Sequence, residues 1–112
     1  MAAEEGIELV FDNNSSFLPE SAARQLKQWV RTLPRAGGYK VEIAAAVGGT
    51  DVKAGGDPAQ AARYARWLAD RRLGRVAEWL EKNVQARDLQ MQRRFLENDG
   101  SRRVVIRVSP VT

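Results

Sequence analysis

Residues 57–83 read DPAQAARYARWLADRRLGRVAEWLEKN, and their spacing decides the fold. The Asp57 carboxylate suits a helix N-cap, and Pro58 follows where a first-turn residue has no need of its N–H. The helical pattern then runs to about Asn83. At about 100° per residue from Ala65, the residues Ala61, Leu68, Ala69, Val76, Trp79 and Leu80 fall within about 60° of one line. A stripe of this kind has to be buried against another layer.

That layer is expected from the short runs on either side. Ile7-Glu8-Leu9-Val10-Phe11 reads as a strand, closed by the turn-prone Asp12-Asn13-Asn14-Ser15-Ser16. Pro19 and Glu20 open a first helix, whose Leu26, Trp29, Val30 and Leu33 share one face before Pro34 and Gly37-Gly38 end it. Tyr39 to Ile43 alternates as a second strand, continued by the small residues Ala44 to Val47. Residues 48–56 hold four Gly and read as a loop. Leu89 to Phe95 predicts a third strand, Asn98-Asp99-Gly100 a turn, and Arg103 to Val108 a fourth strand, the last two forming a hairpin. The expected order is β-α-β-α-β-β, an α/β sandwich with two helices packed on one face of a small mixed sheet.

The chain has 112 residues, one domain's worth, and 44% are hydrophobic, which argues against disorder. It has no Cys and no His. Thiol and imidazole nucleophiles, an imidazole base, a disulfide framework and Cys/His metal sites are therefore excluded. Asp and Glu remain, but no spacing among Glu42, Asp51 and Asp57 identifies an acid–base pair. The expectation is a non-catalytic binding domain without metal or cofactor. Met1-Ala2-Ala3-Glu4-Glu5 lacks the basic head and apolar core of a signal peptide, and no run reaches the roughly 20 apolar residues of a membrane helix. A single domain over residues 1–112, taken from a longer chain, is expected.

The net charge of +4 is uneven. Residues 1–59 carry six Lys/Arg and eight Asp/Glu, whereas residues 60–112 carry twelve and six. Fourteen of the eighteen basic residues are Arg, whose planar fork suits carboxylate and phosphate. Arg63, Arg66 and Arg71 fall on the flanks or back of the long helix, but Arg72 falls inside the apolar stripe, at about 340° on the wheel. A guanidinium there needs a carboxylate, a carbonyl cluster or an anionic ligand, unless it tilts out to water. Asp51, in the loop that feeds this helix, is the neighbour expected for an anion-recognition Arg. Trp67 sits near 200°, opposite the stripe, as a candidate partner contact.

These residues together resemble an OmpA-like C-terminal domain. The resemblance rests on Val10-Phe11-Asp12, Leu18-Pro19-Glu20, Val41-Glu42-Ile43, Gly49-Thr50-Asp51, Leu68-Ala69-Asp70-Arg71-Arg72 with Val76, and Arg102-Arg103-Val104. It spans nearly the whole chain. It implies a periplasmic domain of the bacterial envelope that binds peptidoglycan without covalent attachment. It also implies that the diaminopimelate of the stem peptide is held between Asp51 and Arg72, the Arg forking onto a carboxylate and the Asp receiving the ammonium. Asp57 is the alternative to Asp51, because it precedes Arg72 by 15 residues, the family's usual interval, against 21 for Asp51.

The family's Gly-His-Thr-Asp stands here as Gly48-Gly49-Thr50-Asp51, and its pocket Asn and Ser as Ala65 and Ala69. Two hydrogen bonds to a charged ligand lost in this way would cost roughly 1.5–3 kcal/mol each. Two functions therefore compete. One is anchoring to the cell wall through Arg72 with Asp51 or Asp57. The other is a degenerate OmpA-like fold that docks other envelope proteins in a secretion, pilus or conjugation assembly. A third, nucleic-acid binding by Arg93, Arg94, Arg102, Arg103 and Arg107, has only Phe95 as a stacking ring on those strands and is not expected.

Overall fold

In the computed structural model, residues 5–13, 15–33, 37–47, 57–84, 88–97 and 101–111 are described. Six elements follow in the order β1 (Glu5–Val10), α1 (Glu20–Arg31), β2 (Gly38–Ala46), α2 (Pro58–Asn83), β3 (Asp88–Leu96) and β4 (Arg103–Val111). They form a four-stranded mixed sheet with two helices, the α/β architecture expected from the residue pattern. Asp57 caps α2 by accepting from the Ala59 amide at 2.9 Å, with Pro58 in the first turn. α1 stops at Arg31, two residues before Leu33, because Thr32 and Leu33 tighten the chain onto Trp29 and Val30 through three-residue hydrogen bonds.

The strand order is β1-β4-β2-β3, with β2 and β3 parallel and the other pairs antiparallel. β3 and β4 therefore do not form the expected hairpin. The crossover through α2 brings β3 back beside β2 in parallel, and β4 then enters the gap between β1 and β2. Each residue of β4 from Arg103 to Val108 thereby gains a partner on β1. In a hairpin, β4 would have lain outside β3 and paired on one side only, whereas here it is hydrogen-bonded to β1 and to β2.

Alternation sets the inner face. Leu9, Val41, Ile43, Ala45, Val104, Ile106 and Val108 point to the helices and are buried. Ala22 and Leu26 of α1, with Ala69, Leu73, Val76, Ala77 and Leu80 of α2, close over them. Both helices lie on this one face. On the other face, Glu8 meets Arg103 at 3.1 Å and Glu42 meets Arg94 at 3.6 Å.

β2 and β3 approach so closely at one end that a Cβ on Gly38 would sit 2.7 Å from the Asp88 carbonyl oxygen. The Asp88 amide in turn donates to the Gly37 carbonyl at 3.2 Å. Glycine at 38 is therefore a packing requirement of the parallel pair.

The buried stripe of α2 begins only at Leu68. Ala61 is exposed and Ala65 half-buried, and every residue from Asp57 to Arg63 is exposed. With 26 residues, α2 is about 39 Å long, whereas a nine-residue strand spans about 30 Å. Its first two turns stand off the body of the domain.

Candidate functional site around Arg72

Arg72 is the largest fully buried side chain, at 1% exposure. Its place in the stripe, between Ala69 and Val76, carries the guanidinium inward toward the loop that follows β1. There Nε donates to the Ser15 carbonyl at 2.8 Å and Nη2 donates to the Asp12 carbonyl at 3.0 Å. The guanidinium carbon lies 5.3 Å from the centroid of the buried Phe11 ring. Of the partners that a buried Arg requires, backbone carbonyls are thus in place.

A second arginine secures the same loop. Arg102 Nε donates to the Phe11 carbonyl at 3.1 Å, and the Phe11 amide donates to the Arg102 carbonyl at 2.8 Å. Within the loop, the Ser15 amide donates to the Asp12 carbonyl and Ser15 Oγ accepts from the Phe17 amide, each at 3.2 Å. The carbonyls of Phe11, Asp12 and Ser15 thus receive donors from chain positions far downstream. These bonds are partly buried, so each carbonyl is paired where access to water is reduced.

Of the two carboxylates expected to join Arg72, Asp51 and the Gly-rich stretch 48–56 lie outside the described residues. Asp57 lies within them and is not brought to Arg72. Both belong to one continuous helix, and 15 residues at about 1.5 Å each separate them by about 22 Å along its axis. Ala69 is fully buried in the core and Ala65 half-buried, so the positions where the resemblance implies polar pocket residues present methyl groups.

Of the arginines weighed for nucleic acid, Arg94, Arg103 and Arg107 share the outer sheet face, where acidic side chains are interspersed with them. Arg102 serves the loop, Arg94 and Arg103 face Glu42 and Glu8, and Arg93 projects to the opposite side of β3 from Arg94. A shallow depression of about 430 Å³ on the outer sheet face is lined by Lys40, Glu42, Gln90, Gln92, Arg107 and Ser109, mixed in charge. Among the described residues no group of three acidic side chains gathers as a metal site, and no helix is long and apolar enough to cross a membrane.

The residue pattern flagged Arg72 and Trp67 but not what surrounds them. Trp67 is 52% exposed, and the Arg71 guanidinium lies over its ring at 5.2 Å. Phe17 is 69% exposed and carries Arg75 in the same manner at 4.9 Å. The Trp67 and Arg71 spacing of four was a legible signal. The approach of Phe17 was not, since it depends on how the loop folds against α2.

No protein-family model matches the chain, and no curated protein matches it.

Proposed function

We propose that the chain is a non-catalytic domain of the bacterial envelope, of the OmpA-like type, that recognises another protein by its surface. The observation that carries this reading is the engagement of Arg72 with the carbonyls of Ser15 and Asp12. An Arg that forks onto a ligand carboxylate turns a pair of donors toward it, and here the Nε and Nη2 pair, one edge of the five-donor fork, is turned to the chain's own backbone. The methyl groups of Ala65 and Ala69 support the same reading, because neither can hydrogen-bond a zwitterionic ligand.

Sedimentation with purified peptidoglycan sacculi tests it. The wild-type chain is expected in the supernatant. Pelleting with the sacculi, abolished by Asp51→Asn at unchanged circular dichroism, would overturn the proposal.

The second reading is wall anchoring through Arg72 and Asp51 in the periplasm. It is favoured by the order of the elements together with the retention of Arg72 where the resemblance requires an arginine. The same sedimentation experiment decides between the two.

A further inference from the structure

The outward face of α2 carries a row of groups that the core does not use. Trp67, Arg71 and Arg75 follow at intervals of four and so lie on one side of the helix. Arg71 stacks on Trp67, and Arg75 stacks on Phe17 from the loop before α1. Tyr64 lies against the Trp67 ring at 5.6 Å between centroids. The row ends in a depression of about 250 Å³ bordered by Phe17, Leu18, Trp79 and Lys82.

Two properties make this face a recognition surface. Among the described residues neither Arg71 nor Arg75 has a carboxylate partner, whereas Glu78, the acidic residue beside the depression, is neutralised by Lys82 at 3.1 Å. The face is left with a net positive charge and two guanidiniums about one helical turn apart. Both are held in place by aromatic rings, so less side-chain freedom is lost when they bind. Trp and Arg, here the exposed Trp67 and Arg71 in the row and the half-buried Arg75 and Trp79 at the depression, are also the residue types that dominate interface energetics.

We infer that this face docks an acidic amphipathic segment of a partner protein. Two of the segment's carboxylates meet Arg71 and Arg75, and one apolar side chain enters the depression between Phe17 and Trp79. From Trp67 to Trp79 the row covers about 18 Å, the length of a twelve-residue helix. Single-stranded nucleic acid fits less well, because stacking of bases needs open ring faces, and Trp67 and Phe17 each have a guanidinium over one face. The inference rests on the reading of the domain as a protein-docking module and gives that module its partner chemistry.

The test is an NMR titration of the isotope-labelled chain with three synthetic helical peptides of about fourteen residues. One carries Glu at two positions four apart beside a Leu anchor, and the others carry Gln or Lys at those two positions. The acidic peptide is expected to shift signals of Phe17, Trp67, Arg71, Arg75 and Trp79, and to bind at least about tenfold more tightly than the Gln peptide. The double variant R71E/R75E, at one exposed and one half-buried position outside the core and checked for folding by circular dichroism, should lose that preference and bind the Lys peptide instead. Equal binding of the three peptides, shifts confined to the outer sheet face, or tighter binding of an oligothymidine at the same residues would overturn the inference. Failure of the two proposals is separable. Loss of the acidic preference removes this surface whatever the sacculi do, whereas pelleting through Asp51 removes the parent reading without moving the peptide result.

Discussion

The side chain of Arg72 and the backbone of Ser15, 57 residues apart, are joined by a 2.8 Å hydrogen bond from Nε to the carbonyl oxygen. The bond fixes where the β1 to α1 loop lies on α2. It also accounts for a cation on the apolar side of a helix, since the loop's carbonyls replace the water that the guanidinium gives up.

Arg72→Ala is expected to destabilise the domain by about 3 kcal/mol or more, because the charge-assisted hydrogen bonds to the Ser15 and Asp12 carbonyls are among those lost. Arg72→Lys should recover only part of the loss, an ammonium being unable to reproduce the planar fork. Urea unfolding followed by circular dichroism measures both. A change below about 1 kcal/mol for Arg72→Ala would remove Arg72 from the structural role.

Gly38→Ala is expected to cost about 1–3 kcal/mol, the usual penalty of forced overpacking. The added methyl would meet the Asp88 carbonyl oxygen at 2.7 Å, so β2 and β3 must part at that end. Hydrogen exchange of the Asp88 amide, which donates to Gly37, should accelerate more than that of amides at the Ala46 end of the pair.

Asp57→Ala removes a cap worth about 1 kcal/mol to its helix. The residues from Asp57 to Arg63 are exposed, so the loss should appear as fraying of the first turns and not as global unfolding. NMR secondary shifts over Ala59 to Arg63 should move toward coil while the urea midpoint changes little. Asp57→Asn should leave both in place, since Asn caps as well as Asp.

Trp29→Phe should cost less than about 2 kcal/mol, below the ~3–5 kcal/mol of truncating a buried Trp to Ala, because Trp29 is half-buried and the ring is shortened and not removed. The indole Nε1 is buried without a hydrogen-bond partner among the described residues, so its removal takes away a polar group that is already unsatisfied. A larger loss in urea unfolding would show that Nε1 has a partner in solution.

Much of the fold was legible because burial imposes periods. Leu68, Ala69, Val76 and Leu80 announced the inner face of α2, and alternation in Tyr39 to Ile43 announced β2. The pairing of strands was not legible in the same way. Asn98-Asp99-Gly100 resembles a hairpin turn locally, whereas the order β1-β4-β2-β3 depends on which strand leaves its neighbour unpaired, a property of the whole sheet. The candidate site divides similarly. The wheel located Arg72 as a cation needing a partner, and the three kinds of partner were foreseeable. Selection of the carbonyls of Asp12 and Ser15 came from tertiary packing, which brings a loop from the first strand onto the fourth turn of α2.

The loop after β1 is made early in the chain but receives its two arginine donors from positions 72 and 102. During synthesis from the N-terminus, Phe11, Asp12 and Ser15 therefore emerge long before the arginines that bond their carbonyls. Loop closure over such separations is slow relative to forming a helix or turn. The segment is expected to be among the last to gain protection in refolding, although it joins the first strand to the first helix. Ordering of this loop is therefore expected to follow arrival of the far end of the chain, and with it the placing of Phe17 beside Arg75.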